Sequence, residues 1–345
     1  MTDGMLAALA GLATGGVLGL AARMGNFCTL GAIEHALYGT DRRRLRQWGI
    51  VLGTAVLATQ AAGFAGWADL QATAYRALAW SPLASILGGL LFGYGMAMAG
   101  NCGFGALVRF GGGDLRSMVV VVVTAIAGFA ALSGPLAPLR VALFPQVPAA
   151  APTGIAHDIS RAAGLSEPLV AALLGLALLG WGLAHAPLRA RPGQVAWGVA
   201  AGLAVAWAFV ATSWLGARSF GAIGVEGPSY VAPLGRSLLW LMTSTAGGLS
   251  FATGSVAGVM AGGFAGSVLR GMFRWEACED PRELGRQVGG AVAMGIGGVV
   301  AMGCSVGQGV SGTAVLAWSG PVTLAAIAAG AAAGLHRLIG GCQPE

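Results

Sequence analysis

The sequence predicts an all-α polytopic membrane protein of about nine spans, with re-entrant or broken short helices and an inverted internal repeat. Three observations predict it. Of 345 residues, 56% are hydrophobic and only 9% charged, with a mean hydropathy of +0.75; a soluble domain carries about 25% charged residues. The apolar runs approach or reach the ~20 residues that cross a bilayer, and 60 glycines suit helices packed closely in lipid. Finally, two glycine-rich breaks each hold a cysteine at the end of a long apolar run: Gly100-Asn101-Cys102-Gly103-Phe104-Gly105 and Met302-Gly303-Cys304-Ser305-Val306-Gly307. They align at an offset of 202 (304 minus 102), which carries Gly88, Gly93, Gly95 and Gly105 onto Gly290, Gly295, Gly297 and Gly307.

In chain order, residues 5–22 form the first span. No basic stretch precedes them, so they read as a retained span rather than a cleaved signal peptide. The run from Arg23 through Cys28 to Glu34 and His35 is too short to cross. It is either a re-entrant segment lining a cavity or a short loop with an interfacial helix. Arg42, Arg43, Arg44 and Arg46 mark a cytoplasmic loop. Span 2 covers 47–67. Span 3 starts near Pro82, breaks at Cys102 and ends near 112; span 4 covers 115–133. Residues 134–166 form a proline-rich outer loop with room for an interfacial helix. Span 5, 168–185, links the two repeats, which cover about 5–133 and 194–339 of a single transporter domain. Span 6 is 194–212. The segment 213–223 is the counterpart of the Cys28 segment, matching Gly221-Ala222-Ile223 to Gly31-Ala32-Ile33 and so setting Arg218 opposite Cys28. Span 7 lies within 237–269, interrupted or tilted. Span 8 runs from about 287 to 316 with its break at Cys304, and span 9 is 320–339.

All 19 basic residues are arginine, and the formal charge is +6. In this topology twelve arginines lie inside and four outside, with Arg23, Arg109 and Arg218 at breaks. The N-terminus is then outside and the C-terminus cytoplasmic, as in a bacterial inner-membrane protein. Equivalent loops of the two repeats face opposite sides, the sign of an inverted repeat with its site at the midplane in broken helices. The arginines sit between apolar runs with no aromatic-basic stripe, so nucleic acid is not an expected partner; the bilayer is.

The five cysteines include no C-x-x-C pair, which argues against a thioredoxin-like motif. Cys278 and Cys342 read as surface thiols. Cys28, Cys102 and Cys304 each sit at a break in a membrane-buried run. Near a half-helix N-terminus, backbone N–H groups and the helix dipole favour an anion and a thiolate, which suits a small anion with a soft sulfur atom. Asn26, Asn101, Ser305 and Gln308 are polar groups able to replace its hydration, or to satisfy broken backbone. Arg109 and Arg218 are charges at membrane depth, hence candidate pathway residues. The histidines show no paired spacing, and neither a metal nor a cofactor is expected.

Arg23-x-x-x-Phe27-Cys28, Gly100-Asn101-Cys102-Gly103 and the run Gly303-Cys304-Ser305-Val306-Gly307-Gln308-Gly309-Val310-Ser311-Gly312 resemble the cysteine motifs of the YeeE/YedE family of bacterial sulfur transporters. The resemblance covers nearly the whole chain, and the third motif is its most specific part. It implies a permease, not an enzyme, that takes up thiosulfate through an hourglass of inverted halves. Its pore cysteines, here Cys28, Cys102 and Cys304, would pass the ion along by transient S–H···S contacts. It also implies a small cytoplasmic sulfur-carrier protein as partner, and leaves selenium species open as substrates. Two other classes compete: a membrane-embedded thiol-redox or sulfurtransferase enzyme using the same cysteines, and a channel for another small anion or a neutral molecule.

Overall fold

A computed structural model describes residues 2–39, 41–149, 153–245, 247–277 and 280–340; Cys278 and Cys342 lie outside these. Among the described residues there is no β-strand, only helices. In order they are α1 (Asp3–Gly25), α2 (Thr29–Leu37), α3 (Arg43–Phe64), α4 (Ala74–Ala77), α5 (Pro82–Ala99), α6 (Gly103–Gly111), α7 (Leu115–Leu132), α8 (Ala137–Leu143), α9 (Ile155–Ala163), α10 (Glu167–Leu183), α11 (Ala186–Arg189), α12 (Pro192–Arg218), α13 (Ala232–Thr243), α14 (Phe251–Leu269), α15 (Pro281–Val300), a π-helical turn (Gly307–Gly312) and α16 (Ser319–Gly340).

Six segments are long and apolar enough to cross a bilayer, seven if the pair α9 and α10, bent by 117°, is counted as one. The expectation of nine also included α3 and α15. Both have the length, 22 and 20 residues, but their polar side chains lower the apolar count: Gln47 and Gln60 in α3, Arg282, Glu283 and Arg286 in α15. The proline-rich loop folds into two short helices, α8 and α9. The stretch 237–269 is interrupted between α13 and α14.

The packing obeys one exchange of partners. α1 packs on α14 as α3 packs on α12, and α5 packs on α16 as α15 packs on α7; α1 with α12 and α5 with α15 are their own images. Swapping α1 with α12, α3 with α14, α5 with α15 and α7 with α16 therefore preserves these six pairings; the packing of α10 on α3 has no such image. The glycines show why the sequence repeat takes this form. A Cβ on Gly88 would stand 2.8 Å from the Gly297 carbonyl oxygen, and one on Gly95 would stand 2.5 Å from that of Gly290. Since Gly290 and Gly297 are the repeat images of Gly88 and Gly95, α5 and α15 cross antiparallel in backbone contact, as small residues permit in lipid.

Candidate functional site

One local device builds all three breaks. Two residues before each cysteine the backbone turns left-handed: Asn26 at φ 57°, Gly100 at φ 77° and Met302 at φ 59°. A left-handed residue ends a helix by satisfying its last carbonyls. The chain then extends, and the cysteine opens the next short element. Cys28 is the N-cap of α2, and its Sγ accepts from the Gly31 N–H at 3.5 Å. Cys102 caps α6 the same way, accepting from Gly105 at 3.3 Å. Cys304 accepts from the Gly307 N–H at 3.3 Å, where the π-helical turn begins. Cys28 and Cys102 therefore stand where Ser or Asp ordinarily caps a helix, at the positive end of a short helix, while Cys304 accepts from the same relative N–H just ahead of the π-helical turn, whose own cap is Val306.

The device brings the thiols together. Cys102 lies within electrostatic reach of Cys28 and Cys304 and within hydrogen-bonding reach of the Ser305 hydroxyl. Ser305 in turn accepts a buried hydrogen bond from Thr29 Oγ1 at 3.2 Å, tying the Cys28 segment to the Cys304 segment across 276 residues. Cys102 and Cys304 are buried, Cys28 half-buried. Around Cys304 stand the N–H groups of Val306 and Tyr230 and the Ser229 hydroxyl. Phe104, beside Cys102, packs on the Tyr230 ring at 5.1 Å, and Phe27, beside Cys28, packs on Trp48 at 4.9 Å.

The two ends of this thiol cluster differ. At one end a cavity of about 190 Å³ reaches Cys28 and Cys102; Arg23, Asn26, Arg44, Asn101 and Arg109 line it, and no carboxylate does. A second cavity of about 220 Å³ shares Arg23, Arg109 and Met272 and adds Asp114, Arg274 and Glu276. The nearby Asp41 does not neutralise Arg44. It accepts from Arg43 Nε at 2.6 Å, a bond that holds its carboxyl down to about 2, so its charge is matched by Arg43. Near the Cys304 break, a small pocket of about 30 Å³ is lined among others by Tyr75 of α4, Arg140 of α8, Met302, Gln308 and Ser319. Gln308 Oε1 and Ser319 Oγ are buried with no hydrogen-bond partner, while Gln308 Nε2 donates to the Ala301 carbonyl at 2.8 Å.

Of the residues singled out from sequence, Cys28, Cys102, Cys304, Asn26, Asn101, Ser305, Gln308 and Arg109 all lie at this cluster or on one of the three cavities. Arg218 does not. Helix α12 runs through it, so it falls before the break rather than within it. Its guanidinium lies 3.2 Å from the Asp3 carboxylate and stacks over Trp214. Ser229, ahead of α13, stands against Cys304 as Cys28 stands against Cys102. Glu34 is exposed and lines none of these cavities. Arg44, Ser229 and Tyr230 escaped the sequence reading. Arg44 reads as one more loop arginine, and the stretch 219–231 has no helical period. A shared signal was available: each of the three cysteines is followed three positions later by glycine, Gly31, Gly105 and Gly307.

A family model described as sulphur transport matches residues 24–333. The thiosulfate transporter TsuA of Escherichia coli K12 is 26% identical over 337 residues, which cover 92% of this chain and 90% of that protein. The thiosulfate transporter TsuA of Spirochaeta thermophila is 26% identical over 246 residues, 68% of this chain and 71% of that one.

Proposed function

The chain belongs to the sulphur transport family, and from that premise we propose that it is a bacterial inner-membrane permease that imports thiosulfate past Cys28, Cys102 and Cys304. The observation that carries the reading is the thiol cluster: Cys102 lies within electrostatic reach of the other two, and Cys28 and Cys102 each cap a short helix at its positive end. Thiosulfate is a dianion with a soft terminal sulfur. Capped helix ends favour its charge, and thiols are suited to donate to its sulfur. Passing between closely spaced weak sites lets an ion enter without being trapped.

In this reading repeat one (5–133), the link (168–185) and repeat two (194–339) form one transport domain. The arginine-lined cavities face the cytoplasm, with the C-terminus, because Arg42–Arg46, Arg270, Arg274, Arg282 and Arg286 gather on that side. The N-terminus is then outside and the Gln308 pocket is the outer approach. Asn26, Asn101, Arg109, Ser305 and Gln308 line the route, and a small sulfur-carrier protein would collect the ion at the inner mouth. Proteoliposomes holding the purified protein should take up labelled thiosulfate, and unlabelled thiosulfate should compete better than sulfate. Liposomes that show no uptake above protein-free controls would refute the permease.

A further inference from the structure

The arginine-lined cavity has a property that passage alone does not require. Arg23, Arg44 and Arg109 line it without a carboxylate among them, and none of the three forms an ion pair among the described residues. Arg23 is near enough to Arg109 and Arg270 to be repelled by both, which Glu276 of the adjoining cavity offsets only in part, and Arg23 Nε is buried with no hydrogen-bond partner. Asn101 lines the same cavity, is only 5% exposed and makes no side-chain hydrogen bond among the described residues. Three guanidinium groups and an amide with free hydrogen-bonding capacity on one cavity favour an anion there. Guanidinium groups match tetrahedral oxoanions with paired donors. Cys28 and Cys102 line the same cavity.

We propose that this cavity is a holding site that reads the two ends of its ligand separately. Arg23, Arg44, Arg109 and the Asn101 amide grip the three oxygens of a sulfonate-type head, while Cys28 and Cys102 donate to the terminal sulfur. The proposal rests on the permease reading for its physiological ligand, but the arginine half makes a claim of its own: a tetrahedral oxoanion lacking the terminal sulfur also binds there. Sulfate is the probe.

The test is equilibrium binding of labelled thiosulfate and labelled sulfate to the purified full-length protein in detergent. Arg44→Gln and Asn101→Ala should each weaken both anions by about tenfold or more. Cys28→Ser should weaken thiosulfate by a similar factor and leave sulfate within about twofold. Arg44→Lys, which keeps the charge but loses the planar fork, should fall between wild type and Arg44→Gln. Thermal melting of each variant confirms that folded protein is being compared, and the exposed Arg109→Gln provides a second arginine variant if Arg44→Gln does not fold. Failure to bind sulfate, or arginine variants that bind both anions as wild type does, would overturn the proposal. If sulfate binds through the arginines but wild-type liposomes take up no thiosulfate, the oxoanion site stands and the permease reading falls.

Discussion

The breaks at Cys102 and Cys304 are built alike and surrounded differently. Both follow a left-handed residue two positions upstream, Gly100 and Met302, and both thiols accept from the N–H of a glycine three positions on. Beyond that they part. Cys102 leads into an α-helix and an open cavity lined by arginine. Cys304 is fully buried, leads into a π-helical turn and sits behind a pocket on which neutral Gln308 and Ser319 have unpartnered oxygens. The comparison separates two jobs. The repeated backbone sets where a thiol stands; the side chains around it, which are not repeated, set which charge is welcome. A transporter made of inverted halves can in this way have a symmetric centre and unlike mouths.

The largest effects should come from the shared part. If both thiols serve one relay, Cys102→Ser and Cys304→Ser should each lower thiosulfate uptake by about 100-fold or more, ~3 kcal/mol in barrier, with folded protein still in the membrane. Two unlike outcomes, one variant inactive and the other near wild type, would break the symmetry. The helix crossing is the next test. A methyl group at Gly95 or at Gly290 meets backbone oxygen, at 2.5 and 2.6 Å, so Gly95→Ala and Gly290→Ala should each destabilise by about 2–3 kcal/mol. Melting temperatures in detergent should fall by similar amounts for the two.

Smaller changes sharpen the comparison. Ser305→Ala removes the bond from Thr29 that ties the Cys28 and Cys304 segments. It should cost about 1 kcal/mol and reduce uptake severalfold, read as an initial rate at matched protein. The left-handed residues should respond with opposite signs. Gly100 has open space around a Cβ, so Gly100→Ala tests conformation alone and should destabilise by about 1–2 kcal/mol, the cost of a left-handed non-glycine residue. Met302 already bears that cost, and Met302→Gly should recover up to about 1 kcal/mol of it. Thermal melts of the pair, one down and one up, would confirm that the same backbone turn is built with different residues.

What was legible in the sequence follows from this division. Glycine and cysteine spacing is local and repeated, so the twin breaks, the cysteines and the membrane class could be read directly. The break at Cys28 was legible too, but the run after it was expected to stand apart from the first span, whereas α1 and α2 together form one apolar segment of 35 residues, Asp3–Leu37. Of the nine spans expected, six or seven meet the test of length and apolar character; α3 and α15, which the sequence reading included, have the length but bury glutamines or begin in charged loop. Arg218 was misplaced against Cys28 because a short Gly-Ala-Ile match outweighed helix continuity: α12 runs on to Arg218, where Asp3 and Trp214 hold it at the surface. Arg44 and Ser229 reach the thiols only through tertiary folding, from a basic loop and from an extended stretch whose sequence carries no period.

The central claim is that three thiols, and not merely the breaks that hold them, carry the anion. Initial rates of labelled-thiosulfate uptake into proteoliposomes, for wild type and for Cys28→Ser, Cys102→Ser and Cys304→Ser at equal amounts of folded protein, test it most directly. Serine keeps a capping oxygen at each helix end while removing the sulfur. The account predicts that all three variants melt near wild type and that each loses most of its uptake. Uptake at the wild-type rate with serine at both 102 and 304 would contradict it and leave the cysteines as caps.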